Sequence, residues 1–177
     1  MPRKRKIHPV PANVLQSIGD VVVSFSLVET ALEVIVCSLL AEHQRVGQIV
    51  CAELSFTRIR GLVASLYQEH HGEDDPDLAT LRGLLNRASS LEHKRNQIVH
   101  STWGAGSDSR SVSRLKSDAK ERHGFRMRGE ELSASSVSAI ADDLSMLAYD
   151  LQTFWFQQLT VGKLINNPGK PIWGSTL

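Results

Sequence analysis

Residues 75–103 read DPDLATLRGLLNRASSLEHKRNQIVHSTW, and the rest of the chain is organised around them. Asp75 followed by Pro76 is a helix start: an acceptor side chain for unpaired N–H groups, then a residue whose missing N–H costs nothing in the first turn. Leu78, Leu81, Leu84, Leu85, Ala88, Leu91, Ile98 and Val99 recur at helical spacing, so the spacing predicts one long helix with an apolar face. At about 100° per residue, Arg95 falls within that apolar arc. An arginine is rarely buried without a partner, so this one is either paired for structural reasons or held there for a task. Asn96 and His100 are one turn apart on a neighbouring stripe. His100 lies about 140° round from Arg95. The two therefore serve one site only at the edge of the apolar face, or across a two-fold axis.

The 177 residues are enough for a single domain with a real core. No uninterrupted apolar run reaches the roughly 20 residues of a membrane span, and no apolar segment of signal-peptide type follows MPRKRK. Cys37 and Cys51 are isolated within or beside apolar segments and read as buried thiols of a reducing compartment. The expectation is a cytoplasmic chain without a membrane segment.

The net charge of +1 conceals an asymmetry. Arg3, Lys4, Arg5 and Lys6 contribute +4. Residues 110–128 set seven cations against two acids, a further +5, which leaves −8 on the remainder. Two basic patches on an acidic body fit a polyanion, because clustered cations release counterions from phosphates. The alternative is a solvated tail and a solvated loop.

Upstream of the long helix, residues 1–10 read as a basic tail without regular structure. From Pro11 to Glu42, Val14, Ile18, Val21, Phe25, Val28, Leu32, Ile35 and Leu39 alternate steps of four and three, the seam of an antiparallel bundle or a coiled-coil-like pair. Glu29 and Glu33 sit beside that seam, where like charges repel slightly. Either they face water or one of them partners Arg95. Residues 45–53 make a short helix, and Ser55 caps another from Phe56 to about Glu69. His70 and His71 beside Glu73, Asp74 and Asp75 have metal-ligand residue types, but the segment reads as an acidic turn.

Downstream, residues 104–111 form a flexible loop. Residues 111–117 and 125–130 alternate with period two, which predicts a two-stranded β-ribbon over about 110–130. Its outward cations, Arg110, Arg114, Lys116, Arg126 and Arg128, are candidate RNA contacts. Ser133 caps a last helix from Ala134 to Leu159, and residues 161–177 form a turn-rich tail in which Trp173 can dock back onto the body. The predicted architecture is all-α: four to five helices over residues 11–160 with the ribbon inserted before the last.

Arg95, Asn96 and His100 combine a fixed cation, an amide and a group that titrates near neutrality. That equipment suffices for RNA cleavage without a metal. His100 can take or give the proton, and Arg95 can hold a phosphate and stabilise the charge that develops on it. There is no metal-ligand cluster, phosphate-cradling glycine loop or G-x-S-x-G elbow, so no cofactor is expected.

RNQIVH near the end of a long helix in an all-α bundle resembles the R-x(4–6)-H signature of HEPN domains (higher eukaryotes and prokaryotes nucleotide-binding), in the form where Asn follows Arg. The first helix with Glu29, and His100-Ser101-Thr102-Trp103, are similar to small bacterial members, and the resemblance covers roughly residues 12–160. It implies a homodimer whose signature helices meet at the two-fold axis, and a metal-independent endoribonuclease that leaves 2′,3′-cyclic phosphate ends. It also implies roles in toxin–antitoxin or phage-defence systems, with an antitoxin or regulatory protein as partner. Carried over, Arg95, Asn96 and His100 are the catalytic residues, with Glu92 and Glu29 supporting Arg95. Other HEPN-like domains are catalytically silent and serve as binding or dimerisation modules.

Overall fold

The computed structural model describes residues 10–40, 43–107, 111–120 and 124–162, without the side chains of 117–120 and 125–128. Five helices occur in it: α1 (Ala12–Leu39), α2 (Gln44–Glu53), α3 (Phe56–His71), α4 (Pro76–Val99) and α5 (Ala134–Thr160). A three-stranded antiparallel sheet, β1 (Thr102–Ala105), β2 (Ser111–Lys120) and β3 (Gly124–Ser133), lies between α4 and α5 in the chain, in the order β1-β2-β3. The fold is broadly all-α with a small β insert. The basic tail and the C-terminal tail with Trp173 lie outside the described residues.

The helix starts follow from capping chemistry. Asp75 Oδ1 accepts from the Asp77 N–H at 2.9 Å, with Pro76 opening α4. Ser133 Oγ accepts from the Ser136 N–H at 3.2 Å at the start of α5. Ser55 stands at the cap position of α3 without a side-chain capping bond. The helix of residues 75–103 ends sooner than its pattern predicts: α4 stops at Val99, and His100 is its C-cap.

Both of the longest helices, α1 and α5, run parallel and side by side. Ser24 and Ser145 hydroxyls are 3.0 Å apart, and farther along Trp155 Nε1 donates to Ser38 Oγ at 2.8 Å. The seam of α1 therefore does not serve an antiparallel neighbour first. α4 runs antiparallel to α5, as the pairs Arg87–Asp150 and Lys94–Asp143 fix. α3 and α4 form an antiparallel hairpin, held by Thr57 against Glu92 at one end and Arg82 against Gln68 at the other. Between these helices Phe25, Leu32, Ile35, Val63, Tyr67, Leu81, Ile98, Leu144 and Leu151 are buried in one continuous core. Burying each of the larger apolar side chains contributes roughly 1.5–3 kcal/mol.

The sheet closes the end of the bundle where α1 and α5 begin. Val112 of β2 is fully buried and packs with Val10 and Val14, flanked by Ile18, Trp103, Leu132 and Ala134. The two-stranded ribbon of the sequence reading thus gains a third strand and an apolar footing. A lone hairpin would be marginal in water. β1 is only four residues long and adjoins glycines, too short for period two to stand out. Thr102 pairs with Leu115 and Ala105 with Val112.

Cys37 and Cys51 are free and buried. Burial pushes the Cys51 thiol up to about 11. By length and composition α1 alone among the described helices can cross a membrane, with a mean hydropathy of 1.9 over 18 residues; 56% of that window is buried inside the protein. A window mean finds this helix where a search for an unbroken apolar run does not.

Candidate functional site

The C-terminal half of α4 carries the site, and the neighbouring helices decide which way its side chains look. Arg95 turns toward α1: its guanidinium carbon lies 4.5 Å from the centre of the Phe25 ring. Phe25 in turn packs on Phe56 at the start of α3, ring centres 4.7 Å apart. Arg95 Nη1 donates to Asn96 Oδ1 at 2.9 Å, and its Nε is buried without a hydrogen-bond partner among the described residues. A cation over an aromatic face gains from the ring quadrupole, the more so where water is excluded.

A group of carboxylates centred on Glu29 adjoins this cation. Glu29 and Glu33 come from α1 and Glu92 from α4, all three half-buried. Among the described residues none of them makes a direct ion pair with Arg95. The Glu29 carboxyl is pushed above the usual carboxylate range, first by burial; Arg95 acts against that, and Glu33 and Glu92 add to it. Glu92 is anchored from α3, where Thr57 Oγ1 donates to its Oε2 at 3.3 Å. The sequence reading offered Glu29 as a partner for Arg95. The structure gives Glu29 the neighbourhood of Arg95, and Phe25 the contact.

His100 takes another direction. Its backbone N–H closes the last turn onto Asn96 O at 3.0 Å, and its ring is exposed. Among the described residues that ring has no hydrogen bond or ion pair. Within one chain, Arg95 faces α1 and His100 faces solvent at the end of the helix, with Asn96 between them bonded to the arginine.

A second polar line runs from α4 to the sheet. His93 Nε2 and Gln97 Nε2 are 2.7 Å apart, Gln97 Oε1 accepts from Arg114 Nη1 at 3.4 Å, and Arg114 is ion-paired with Glu130 across the β2–β3 register. Arg114 differs from its expected outward, RNA-facing position: its side chain is only 13% exposed. Glu130 stands directly opposite on β3 and recruits it. Lys116 is exposed as expected. On the backbone Arg128 stands opposite Lys116 and Arg126 opposite Asp118. The side chains of Arg126 and Arg128, and Arg110 as a whole, lie outside the described residues. Sequence reasoning missed Phe25, Thr57, His93 and Gln97 as neighbours of the site. Only His93 and Gln97 carried a signal, their i, i+4 spacing on α4.

No group of three or more His, Cys, Asp and Glu side chains among the described residues is arranged to hold a metal ion. His70 and His71, expected in the acidic turn, are instead the last residues of α3, and the His71 ring packs with its centre 4.5 Å from that of Tyr67. No family model matches the chain, and neither a curated protein nor a solved structure matches it.

Proposed function

We propose that the chain is a HEPN-like endoribonuclease, acting as a cytoplasmic homodimer on RNA without a metal. The observation that carries this reading is the division of labour along one helix end. Arg95 is fixed by Phe25 and Asn96, and His100 stands exposed one turn beyond Asn96. In a dimer each copy supplies one such pair to a shared cleft. One His100 takes the proton of a ribose 2′-OH as the 2′-oxygen forms its bond to phosphorus. The other, protonated, gives a proton to the 5′-oxygen as the P–O5′ bond breaks. Arg95 stabilises the charge on the non-bridging oxygens. The products are a 2′,3′-cyclic phosphate and a free 5′-hydroxyl. Lys116, with Arg110, Arg126 and Arg128, supplies the salt-dependent grip on the backbone. A role in toxin–antitoxin or phage-defence systems, under an antitoxin or regulatory protein, accords with such an activity.

One observation favours a second reading, a non-catalytic HEPN-like module that binds nucleic acid or regulates by dimerising. Arg95 rests on Phe25 with the half-buried Glu29 nearby, an environment that serves a structural cation as well as a phosphate-binding one.

The deciding experiment incubates a labelled RNA pool with the protein in EDTA, wild type against His100→Ala. His100 is exposed, so the variant folds. Under the leading reading wild type leaves cyclic-phosphate ends and the variant is slower by about 10²–10⁴-fold. Salt-dependent RNA retention without cleavage by either protein establishes the second reading.

A further inference from the structure

α4 and α5 enclose a groove beside the candidate site. It holds about 390 Å³ and is lined by Asn86, Arg87, Ser90 and Lys94 of α4 and Asp143 of α5, over Leu91. Along the α4 axis Lys94 is six residues, about 9 Å, short of His100. Both cations of the groove are paired, Arg87 with Asp150 at 2.6 Å and Lys94 with Asp143 at 3.5 Å, but the four side chains are 36–54% exposed. Ion pairs so open to water are worth little. A ligand that offers each charge a partner of its own can therefore exchange them.

Round the outer side of α5, next to Asp150, Tyr149 is 69% exposed, and Phe156, two turns on, is 61% exposed. They line a shallow recess of about 480 Å³ with Gln152, Thr153 and Thr160 among them. A packed partner helix would bury those amides and hydroxyls without hydrogen bonds, and a lipid surface would have to desolvate Asp143 and Asp150. What fits is a ligand with an anion for the cations, a hydroxyl for a carboxylate and a flat face for the rings. We propose that single-stranded RNA leaving the His100 site runs along the α4–α5 groove. Its phosphates lie on Lys94 and Arg87, a ribose 2′-OH donates to Asp143, and bases stack on Tyr149 and Phe156. Cations interleaved with aromatic faces grip a single strand whatever its sequence, because every base has a π-face. A duplex, its bases already stacked, gains nothing from the rings. The 2′-OH is the group by which Asp143 tells RNA from DNA. The inference rests on the RNA reading given above and extends it from the scissile phosphate to the strand beside it.

The test is binding of a short fluorescein-labelled single-stranded RNA in a His100→Ala background, which leaves the groove intact and the probe uncut. Tyr149→Ala and Phe156→Ala are each expected to weaken binding by about 5–150-fold, with an unchanged circular dichroism spectrum. Arg87→Gln and Lys94→Gln each lower the salt slope by about one phosphate contact, and Asp143→Ala removes a preference for RNA over DNA of the same sequence. Val23→Ala, at an equally exposed apolar position of α1 (63% exposed), leaves binding unchanged. No binding of the probe overturns the proposal, as does unchanged affinity in both aromatic variants or a duplex bound as tightly as the single strand. Wild type that sediments at twice 19.6 kDa, and at the single mass with Tyr149→Asp while RNA affinity is unchanged, assigns the recess to a second copy and overturns it equally. Binding lost in the aromatic variants, without any RNA cleavage by wild type, leaves the groove standing and removes the ribonuclease reading. Cleavage by wild type with binding unchanged in those variants does the reverse.

Discussion

Arg95 lies over the Phe25 ring, guanidinium carbon 4.5 Å from its centre, so a charged group at the edge of the core is supported by a hydrocarbon face instead of a direct carboxylate bond. Phe25 is 2% exposed and also carries the packing onto Phe56. Phe25→Leu removes both contacts while keeping an apolar side chain. It is expected to destabilise the protein by about 1–3 kcal/mol, read as a lowered urea midpoint at unchanged slope.

Glu29 gives a pH dependence whose sign follows from its burial. Its carboxyl is pushed above the ordinary range, so the folded protein holds that proton more tightly than the unfolded chain does. Stability from this group is present at acid pH and is lost as pH rises from the usual carboxylate range through the raised value. Glu29→Gln is therefore expected to raise Tm at pH 7 and to leave it unchanged below pH ~4. A Gln variant that melts lower than wild type at pH 7 would mean that Arg95 outweighs burial.

Two cations of β2 differ in their surroundings. Arg114, 13% exposed, joins Gln97 to Glu130, and Arg114→Ala is expected to cost about 1–3 kcal/mol in urea unfolding. Lys116 is exposed, and Lys116→Ala is expected to stay within about 0.5 kcal/mol of wild type. Under the RNA-binding reading, Lys116→Ala is expected to lower the salt slope of a filter-binding titration by about one phosphate contact.

Tyr67 is fully buried, and its hydroxyl donates to Gln158 Oε1 at 2.8 Å, itself buried. Tyr67→Phe leaves that oxygen without its donor. The expected cost is about 1–3 kcal/mol by thermal or denaturant unfolding, with the helical circular dichroism intact.

Much of the fold was legible because its signals are local. Asp75-Pro76 and Ser133 announce helix starts by chemistry that needs no distant partner, and the buried positions of α1 were readable from steps of three and four. What the pattern could not give was direction. A helix seam does not say whether its neighbour runs parallel or antiparallel, so the α1–α5 pairing emerged only from Ser24 with Ser145 and Ser38 with Trp155. β1 was hidden because four residues beside glycines do not establish a period. At the site, Arg95, Asn96 and His100 stood out by residue type, but Phe25 looked like any core aromatic. Arg114 was misplaced because its partner, Glu130, becomes adjacent only through the strand register.

The parallel pairing of α1 with α5 sets an order of events during synthesis. Ser24 and Ser145 are separated by most of the chain, so the first helix to leave the ribosome waits longest for its cover. At about 5–20 residues per second that wait is on the order of ten seconds. The α3–α4 hairpin closes over a short stretch and forms early. Until α5 arrives, the part of the α1 seam that α5 covers stands open to any hydrophobic surface nearby, chaperones included.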